Sequence, residues 1–424
     1  MRRFWLALVA AVTVCGSTHP AIASNTAAQH WIGTWATAAQ PFMPAALQTF
    51  RNQTLRLIVH TSAGGTKVRI RISNTFGDHP LLIGGAHIAR RTSEAEIDPT
   101  SDRALAFHGN ASITIPARSM VVSDPVDLDV PALSDLAISL FLSETAEATT
   151  SHLLAKQTSY VSSDGNFTAE VKFPVARTIR SWPFLTGVDV DVSPGGAAIV
   201  AFGSSLTDGD GSTTDTNRRF PDVLAERLQK DPRNAEVGVL NEGIIGNRLL
   251  SDSPQQADLP FGAALGQAGL TRLERDVIDQ PGVKYVVVGL GINDIAFPGS
   301  LTPRAASVTA RSMISGYRKL IARAHRKGIR VIGTTNPPFE NSFLKEPAVT
   351  FYTPEKELVR EKVNDWIRSS AAFDAVVDLD LVLRDPGHPT QLLPAYDSGD
   401  HVHPNNAGYI ASGNAVPLTL FEVR

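Results

Sequence analysis

Cysteine is all but missing from this sequence: Cys15 stands alone among 424 residues. It falls inside an amino-terminal stretch that reads as a secretory signal peptide. Arg2 and Arg3 supply the positive start, residues 4–14 the apolar segment, and Ala21-Ile22-Ala23 the small-x-small cleavage signature. Val14 precedes Cys15 where a lipid-attachment site needs a small residue, so a signal peptide over 1–23 is expected to be cut rather than lipidated. The mature chain then holds no cysteine. Disulfides and thiol catalysis are excluded, although a secreted or periplasmic location, the one expected here, would permit disulfides.

Long apolar runs are also lacking. After the leader none reaches the roughly 20 residues of a membrane-spanning helix, so no stable membrane anchor is expected. Charge is sparse and nearly balanced, with 39 basic against 42 acidic residues. Loss of Arg2 and Arg3 leaves 37 against 42, a net charge of −5. No basic patch or tail is present, which excludes a nucleic-acid partner. The glycines from 203 to 211 are not followed by Gly-Lys-Ser/Thr, which argues against a nucleotide phosphate loop. Residues 208–215 carry the acids of a calcium loop, but Thr213 takes the position that needs glycine and Arg219 the one that needs a closing Glu. That segment is read as a loop on the substrate side.

What the sequence does have is two rhythms. Between about 50 and 145 apolar and polar residues alternate with period two, in 54–61, 67–73, 111–115 and 135–142. Ser62-Ala63-Gly64-Gly65-Thr66 reads as a hairpin turn between the first two. This half is expected to be an antiparallel β-sandwich, jelly-roll-like, filling residues 24–195 with its linker. The Ser-Pro-Gly-Gly run at 193–196 marks the boundary. From 196 to 424 strands alternate with helices. Strands are expected at 197–203, 237–241, 284–291, 330–335 and 375–380. Helical faces are carried by Phe220, Val223, Leu224 and Leu228, by Ile314, Tyr317, Ile321 and Ala324, and by Val359, Val363 and Trp366. A last helix starts near Pro404 or Asn405. This is an α/β arrangement: a five-stranded parallel sheet covered on both faces, a three-layer α/β/α domain.

Such sheets place their working residues at the carboxyl ends of the strands. Acyl transfer needs a nucleophile, a base, a group that orients the base, and donors for the developing oxyanion. Ser205, at the tip of the first strand, is the candidate nucleophile. His403 is the candidate base, and Asp400, three residues earlier, can reach its Nδ1. The N–H of Ser205, the N–H of Gly246 and the side-chain amide of Asn293 are the candidate oxyanion donors, each able to contribute roughly 3 kcal/mol. Asp397 is a second candidate for orienting His403. His401 is read as an exposed loop histidine. Arg218 and Arg219 are read as helix-surface residues; Arg248 is a candidate contact for an anionic or sugar substrate.

The order Ser, Gly, Asn, His at successive strand ends resembles the SGNH (GDSL-type) hydrolase family over roughly residues 197–424. Gly203-Ser204-Ser205-Leu206 corresponds to its first block, and that register selects Ser205 over Ser204. Residues 241–247 correspond to the second block, with Gly246 as donor. Gly291-Ile292-Asn293-Asp294 matches the third unchanged, and Asp400-His401-Val402-His403 the fourth. Ser204 replaces the first block's Asp, which bears on the shape of the loop. With its β-rich first half the chain is similar to a secreted bacterial subgroup of that family.

The resemblance implies a serine esterase that needs no cofactor and no metal. Secretion and the β-sandwich favour short acyl groups, acetyl above all, on a polysaccharide. One alternative is a lipolytic or lysophospholipase-like hydrolase of longer acyl or aryl esters. Another, of a different class, is a non-catalytic glycan-binding protein. The β-sandwich either binds sugar chains or walls one side of the cleft.

Overall fold

The computed structural model describes residues 1, 29–42, 47–254, 259, 261–345 and 348–421. The signal peptide expected over 1–23, with Cys15, lies outside these apart from Met1. The β-rich half contains β1 (His30–Ala36), β2 (Gln53–His60), β3 (Gly65–Ser73), β4 (Gly85–Ser93), β5 (Met120–Val122), β6 (Val126–Val130), β7 (Asp135–Leu142), β8 (Ser159–Asp164), β9 (Val175–Ile179) and β10 (Leu185–Val192). One antiparallel sheet runs β1–β10–β3–β5, with β6 also on β3. The other runs β9–β8–β2–β7–β4 and continues in short strands.

Strand alternation builds the core between these sheets. Leu55, Leu57 and Val59 of β2 and Leu136, Ile138 and Leu140 of β7 point inward. They meet Val68, Ile70 and Ile72 of β3 and Val188 and Val190 of β10. The opposite face of β2 is covered too. Ile58 packs there with Ala89, Ala137 and Phe173, and the buried Arg56 guanidinium lies 4.4 Å from the Phe173 ring centroid.

The expected hairpin at residues 62–66 is not formed. β2 pairs with β7 and β8, whereas β3 pairs with β10, β5 and β6. The short connection crosses from one sheet to the other. Period-two alternation tells which face a residue occupies but not which strand lies beside it. The crossing is held by Thr34, whose hydroxyl donates to the Ala63 carbonyl at 2.6 Å. It also passes close to the chain at Val130, whose carbonyl oxygen would sit 2.7 Å from a Cβ on Gly64.

The second half contains β11 (Ala197–Gly203), α1 (Ser205–Asp208), α2 (Phe220–Gln229), β12 (Val237–Gly243), β13 (Val283–Gly289), α3 (Ile292–Ala296), α4 (Ala310–His325), β14 (Arg330–Thr334), α5 (Pro354–Ser369), β15 (Ala375–Val377) and α6 (Asn406–Ala415). The five strands are all parallel, in the order β12–β11–β13–β14–β15. Every residue of β11 is buried, as expected for a strand covered on both faces. Val200, Phe202, Val286 and Val288 face α4 and α5; Ile199, Ala201 and Val287 face α2 and α6.

Two details differ from the sequence reading. Met313, Gly316 and Leu320 join Tyr317, Ile321 and Ala324 on the inner side of α4, leaving Ile314 half-buried. The fifth strand stops at Val377, because Asp378 accepts the Leu381 N–H at 3.2 Å and caps a short helix.

The two halves meet along β12, an edge of the parallel sheet. Thr37, just after β1, bridges Asn241 in parallel, and the Ser62 hydroxyl accepts the Val239 N–H at 2.8 Å. The approach is close enough to require glycine: a Cβ on Gly238 would lie 2.0 Å from the Gly33 carbonyl oxygen. Gly238→Ala is therefore expected to cost about 1–3 kcal/mol of stability by overpacking. A lower urea midpoint than that of Gly387→Ala checks this, since a Cβ on Gly387 would meet nothing closer than 3.5 Å.

Candidate active site

The crevice at the carboxyl ends of the strands is built from four loops. β11 ends at Gly203, where a side chain would collide with Thr207: a Cβ there would lie 1.9 Å from its Oγ1. Ser204 then caps α1 through its backbone, its carbonyl accepting the Thr207 and Asp208 N–H groups at 2.9 Å each. The loop thus closes with serine where the family block has Asp. The Ser204 hydroxyl is buried and has no hydrogen-bond partner among the described residues. Ser205 is the first residue of α1 and is 4% exposed, so its hydroxyl faces a confined space.

His403 reaches that hydroxyl from the segment before α6. Its Nε2 lies 2.8 Å from Ser205 Oγ, and its Nδ1 lies 2.6 Å from Asp400 Oδ2. Asp400 Oδ1 accepts the backbone N–H groups of His403 at 2.9 Å and Val402 at 3.1 Å. The carboxylate therefore fixes both the turn and the ring. Burial pushes the Asp400 pKa up, but the hydrogen bond and charge of His403 and the two N–H donors win, and it falls to about 2. For His403 burial works downward. The Asp400 hydrogen bond and the charges of Asp210 and Asp400 outweigh it, against an opposing Lys156, and hold the imidazole above its ordinary 6.5.

The candidate donors come from the other two strand ends. Gly246 has φ +67, and a Cβ there would lie 2.6 Å from Leu265, so both backbone and packing demand glycine. Among the described residues the N–H groups of Ser205 and Gly246 donate to no protein acceptor. Asn293 in α3 donates one amide hydrogen to the Asn247 carbonyl at 3.0 Å, which leaves its second N–H. The next residue, Asp294, accepts the N–H groups of Leu249 at 2.7 Å and Leu250 at 2.9 Å. Burial pushes the Asp294 carboxyl up to about 6 despite those donors and Arg248.

Ser205, Gly246, Asn293 and His403 line one cavity of about 450 Å³. Apart from these and Asp210 its wall is almost wholly apolar. Leu153 and Leu154 come from the β-rich half; Ile245, Phe261, Leu265, Ile292, Phe297, Leu301, Phe339 and Phe351 come from the second half. Asp210 Oδ2 stands 4.0 Å from His403 Nε2, so the segment 208–215 does contribute to the cavity.

Other residues singled out from the sequence lie elsewhere. Asp397 pairs with His401, Oδ2 to Nδ1 at 2.6 Å, and not with His403. Arg218 pairs with Glu226, and Arg248 donates to the Asp252 carbonyl. Arg219, read as a helix-surface residue, is instead 7% exposed, because it folds back on Asp222 at 2.9 Å to cap α2.

The sequence reading missed three supports. Arg272, fully buried, donates to the carbonyls of Gly203 at 2.8 Å and Glu242 at 2.9 Å and to the Asn247 side chain at 3.0 Å. It thereby ties two strand ends and the Gly246 loop together. Asp208 and His152 form a buried pair. Each is a single polar residue without a local pattern, so nothing nearby in the chain distinguishes it.

Residues 201–411 match the model of the GDSL-like Lipase/Acylhydrolase family. No curated protein matches the chain. Among solved structures, the inhibitor-bound aryl esterase of M. smegmatis is similar at 18% identity, over 54% of this chain and 100% of that one, with a TM-score of 0.39. An acetyl xylan esterase, AlAXEase, is similar at 19% identity, over 51% and 96%, with a TM-score of 0.37. A GDSL-like lipase from Bacteroides thetaiotaomicron VPI-5482 is similar at 19% identity, over 53% and 87%, with a TM-score of 0.34.

The environment of His403 gives a direct expectation. In an NMR titration its imidazole should titrate above 6.5, and Asp400→Asn should bring it down by removing the acceptor that favours the charged ring. Stability follows the same pair. The Asp400 contribution is present above its unfolded value of 3.8 and is lost as the pH falls toward 2. The His403 contribution is present below 6.5 and is lost as the pH rises through its raised folded value.

Proposed function

From a carboxy-terminal half that belongs to the GDSL-like lipase/acylhydrolase family, we propose that this carboxylic ester hydrolase works through an acyl-enzyme on Ser205 and prefers apolar acyl groups of medium length. The observation that carries the reading is the 2.8 Å contact between Ser205 Oγ and His403 Nε2 in the lining of an apolar cavity of about 450 Å³.

Ser205 attacks the ester carbonyl while His403 Nε2 takes its proton. Asp400 holds the proton on Nδ1 and stabilises the imidazolium that forms. The N–H groups of Ser205 and Gly246 and the free amide hydrogen of Asn293 take up the negative charge on the carbonyl oxygen. The alcohol leaves with the proton from His403, and water repeats the sequence to free the acid.

The cavity bears on the substrate. An acetyl group fills little of it. A longer chain removes methylenes from water against Leu265, Phe297, Phe339 and Phe351, worth about 0.8 kcal/mol each, or roughly fourfold in kcat/KM per methylene until the space is filled. Polysaccharide deacetylation has less support. Every described Trp, Tyr and Phe is buried or half-buried, so among the described residues no fully exposed ring stands ready to stack on a sugar. The β-rich half instead supplies Leu153 and Leu154 to the cavity wall. The amino-terminal signal signature supports action in the periplasm or outside the cell.

The test is a p-nitrophenyl ester series from acetyl through butyryl to octanoyl, run beside acetate release from acetylated xylan. We expect kcat/KM to climb with chain length. A maximum at acetyl, or xylan turned over faster than octanoyl ester, would reverse the substrate reading. Ser205→Ala should abolish turnover with an unchanged circular dichroism spectrum; persistent turnover removes Ser205 as the nucleophile. Ala296→Leu, which narrows the cavity, should depress octanoyl turnover more than acetyl turnover.

A further inference from the structure

The β-rich half touches the site through residues 152–156. Leu153 and Leu154 line the cavity, and Lys156 Nζ stands 3.3 Å from Asp210 Oδ1. His152 does something different. Its side chain is 2% exposed and is not part of the cavity lining. Nδ1 lies 3.0 Å from the Ala38 carbonyl oxygen, which can only accept, so this nitrogen donates. Nε2 lies 2.9 Å from Asp208 Oδ1. The Trp182 ring, with its centroid 5.7 Å away, packs beside the imidazole.

Asp208 closes α1 and is 1% exposed. Its second oxygen, Oδ2, accepts the N–H of Ile245 at 3.2 Å. The next N–H along the chain is that of Gly246. The two segments touch closely, since a Cβ on Gly243 would lie 2.3 Å from the Asp208 nitrogen. One carboxylate thus spans from a histidine of the first half to the loop that presents an oxyanion donor in the second.

We propose that His152 is a positioning residue for catalysis: through Asp208 it fixes Ile245 and hence the direction of the Gly246 N–H. This rests on the assignment of Gly246 as an oxyanion donor. Asp208 without its partner is a buried carboxylate with too few donors, and it turns toward whatever donor it can reach. The Ile245 N–H then loses its acceptor and the loop its anchor. Misplacing a catalytic group by about 1 Å costs on the order of a hundredfold in rate.

The experiment uses the full chain with His152→Leu, Asp208→Ala and Asn293→Ala. Active sites are counted with a fluorophosphonate that labels Ser205, and kcat and KM are measured with p-nitrophenyl butyrate. For both His152→Leu and Asp208→Ala, which leave no side-chain polar atom at the position, we expect kcat per labelled site to fall about 10- to 100-fold, with KM within about twofold of wild type. A residue that only fastens the two halves together would lower thermal stability and the labelled fraction but leave kcat per labelled site alone. If His152→Leu fails to fold, Asp208→Ala carries the test. The proposal is overturned if kcat per site stays within about threefold of wild type in the variants that fold while Asn293→Ala loses activity. Full activity in Asn293→Ala as well would instead remove the oxyanion site on which the proposal stands.

Discussion

Everything at this site hangs on the imidazole of His403, held between a hydroxyl 198 positions earlier in the chain and a carboxylate three positions before it. The short-range half of the arrangement is supplied by a turn. Asp400 takes two backbone N–H groups and the ring nitrogen together, so the loop cannot change shape without releasing the imidazole. The long-range half is supplied by the sheet. Parallel strands bring Gly203, Gly243 and Gly289 into register at one end, and Ser205 follows the first of these by two residues.

Register alone would leave the loops free to drift. The structure restrains them with buried polar groups whose partners come from different segments. Arg272 ties the ends of β11 and β12 to Asn247, and Asp294 ties α3 to residues 249 and 250. Such groups are costly to leave unpaired in a low-dielectric interior, so each arrangement is strongly preferred over its alternatives. The apolar cavity sits directly beside these networks. Its apolar wall gives no direction to a substrate, and orientation is left to the few polar atoms in its lining.

Much of this was legible from the residues because the chemistry is written in short blocks at strand ends. Ser205, Gly246, Asn293 and the pair of Asp400 and His403 each sit in a loop whose preceding strand is an apolar run. The rule about carboxyl ends then points to all of them at once. Strand neighbours were not legible. Residues 54–61 and 67–73 alternate well and stand close in sequence, yet they end in different sheets. Nor was the cavity, whose wall is made of single leucines and phenylalanines that look in sequence like any other core residue. His152 pairs across 56 residues with Asp208, and no local pattern marks a contact of that span. Arg219 shows the converse: a charged residue at a helix start reads as surface, yet its neighbour three positions on draws it inside.

The edge strand β12 has a further consequence. Its outer side is met by β1 and by the Ser62 hydroxyl, so the Val239 N–H, which would otherwise face water, is already bonded within the molecule. A hydrolase half cut free of its companion would present an unpaired, apolar ribbon to other chains, the usual template for strand-to-strand aggregation. The amino-terminal half thus closes an edge that the parallel sheet by itself would leave open.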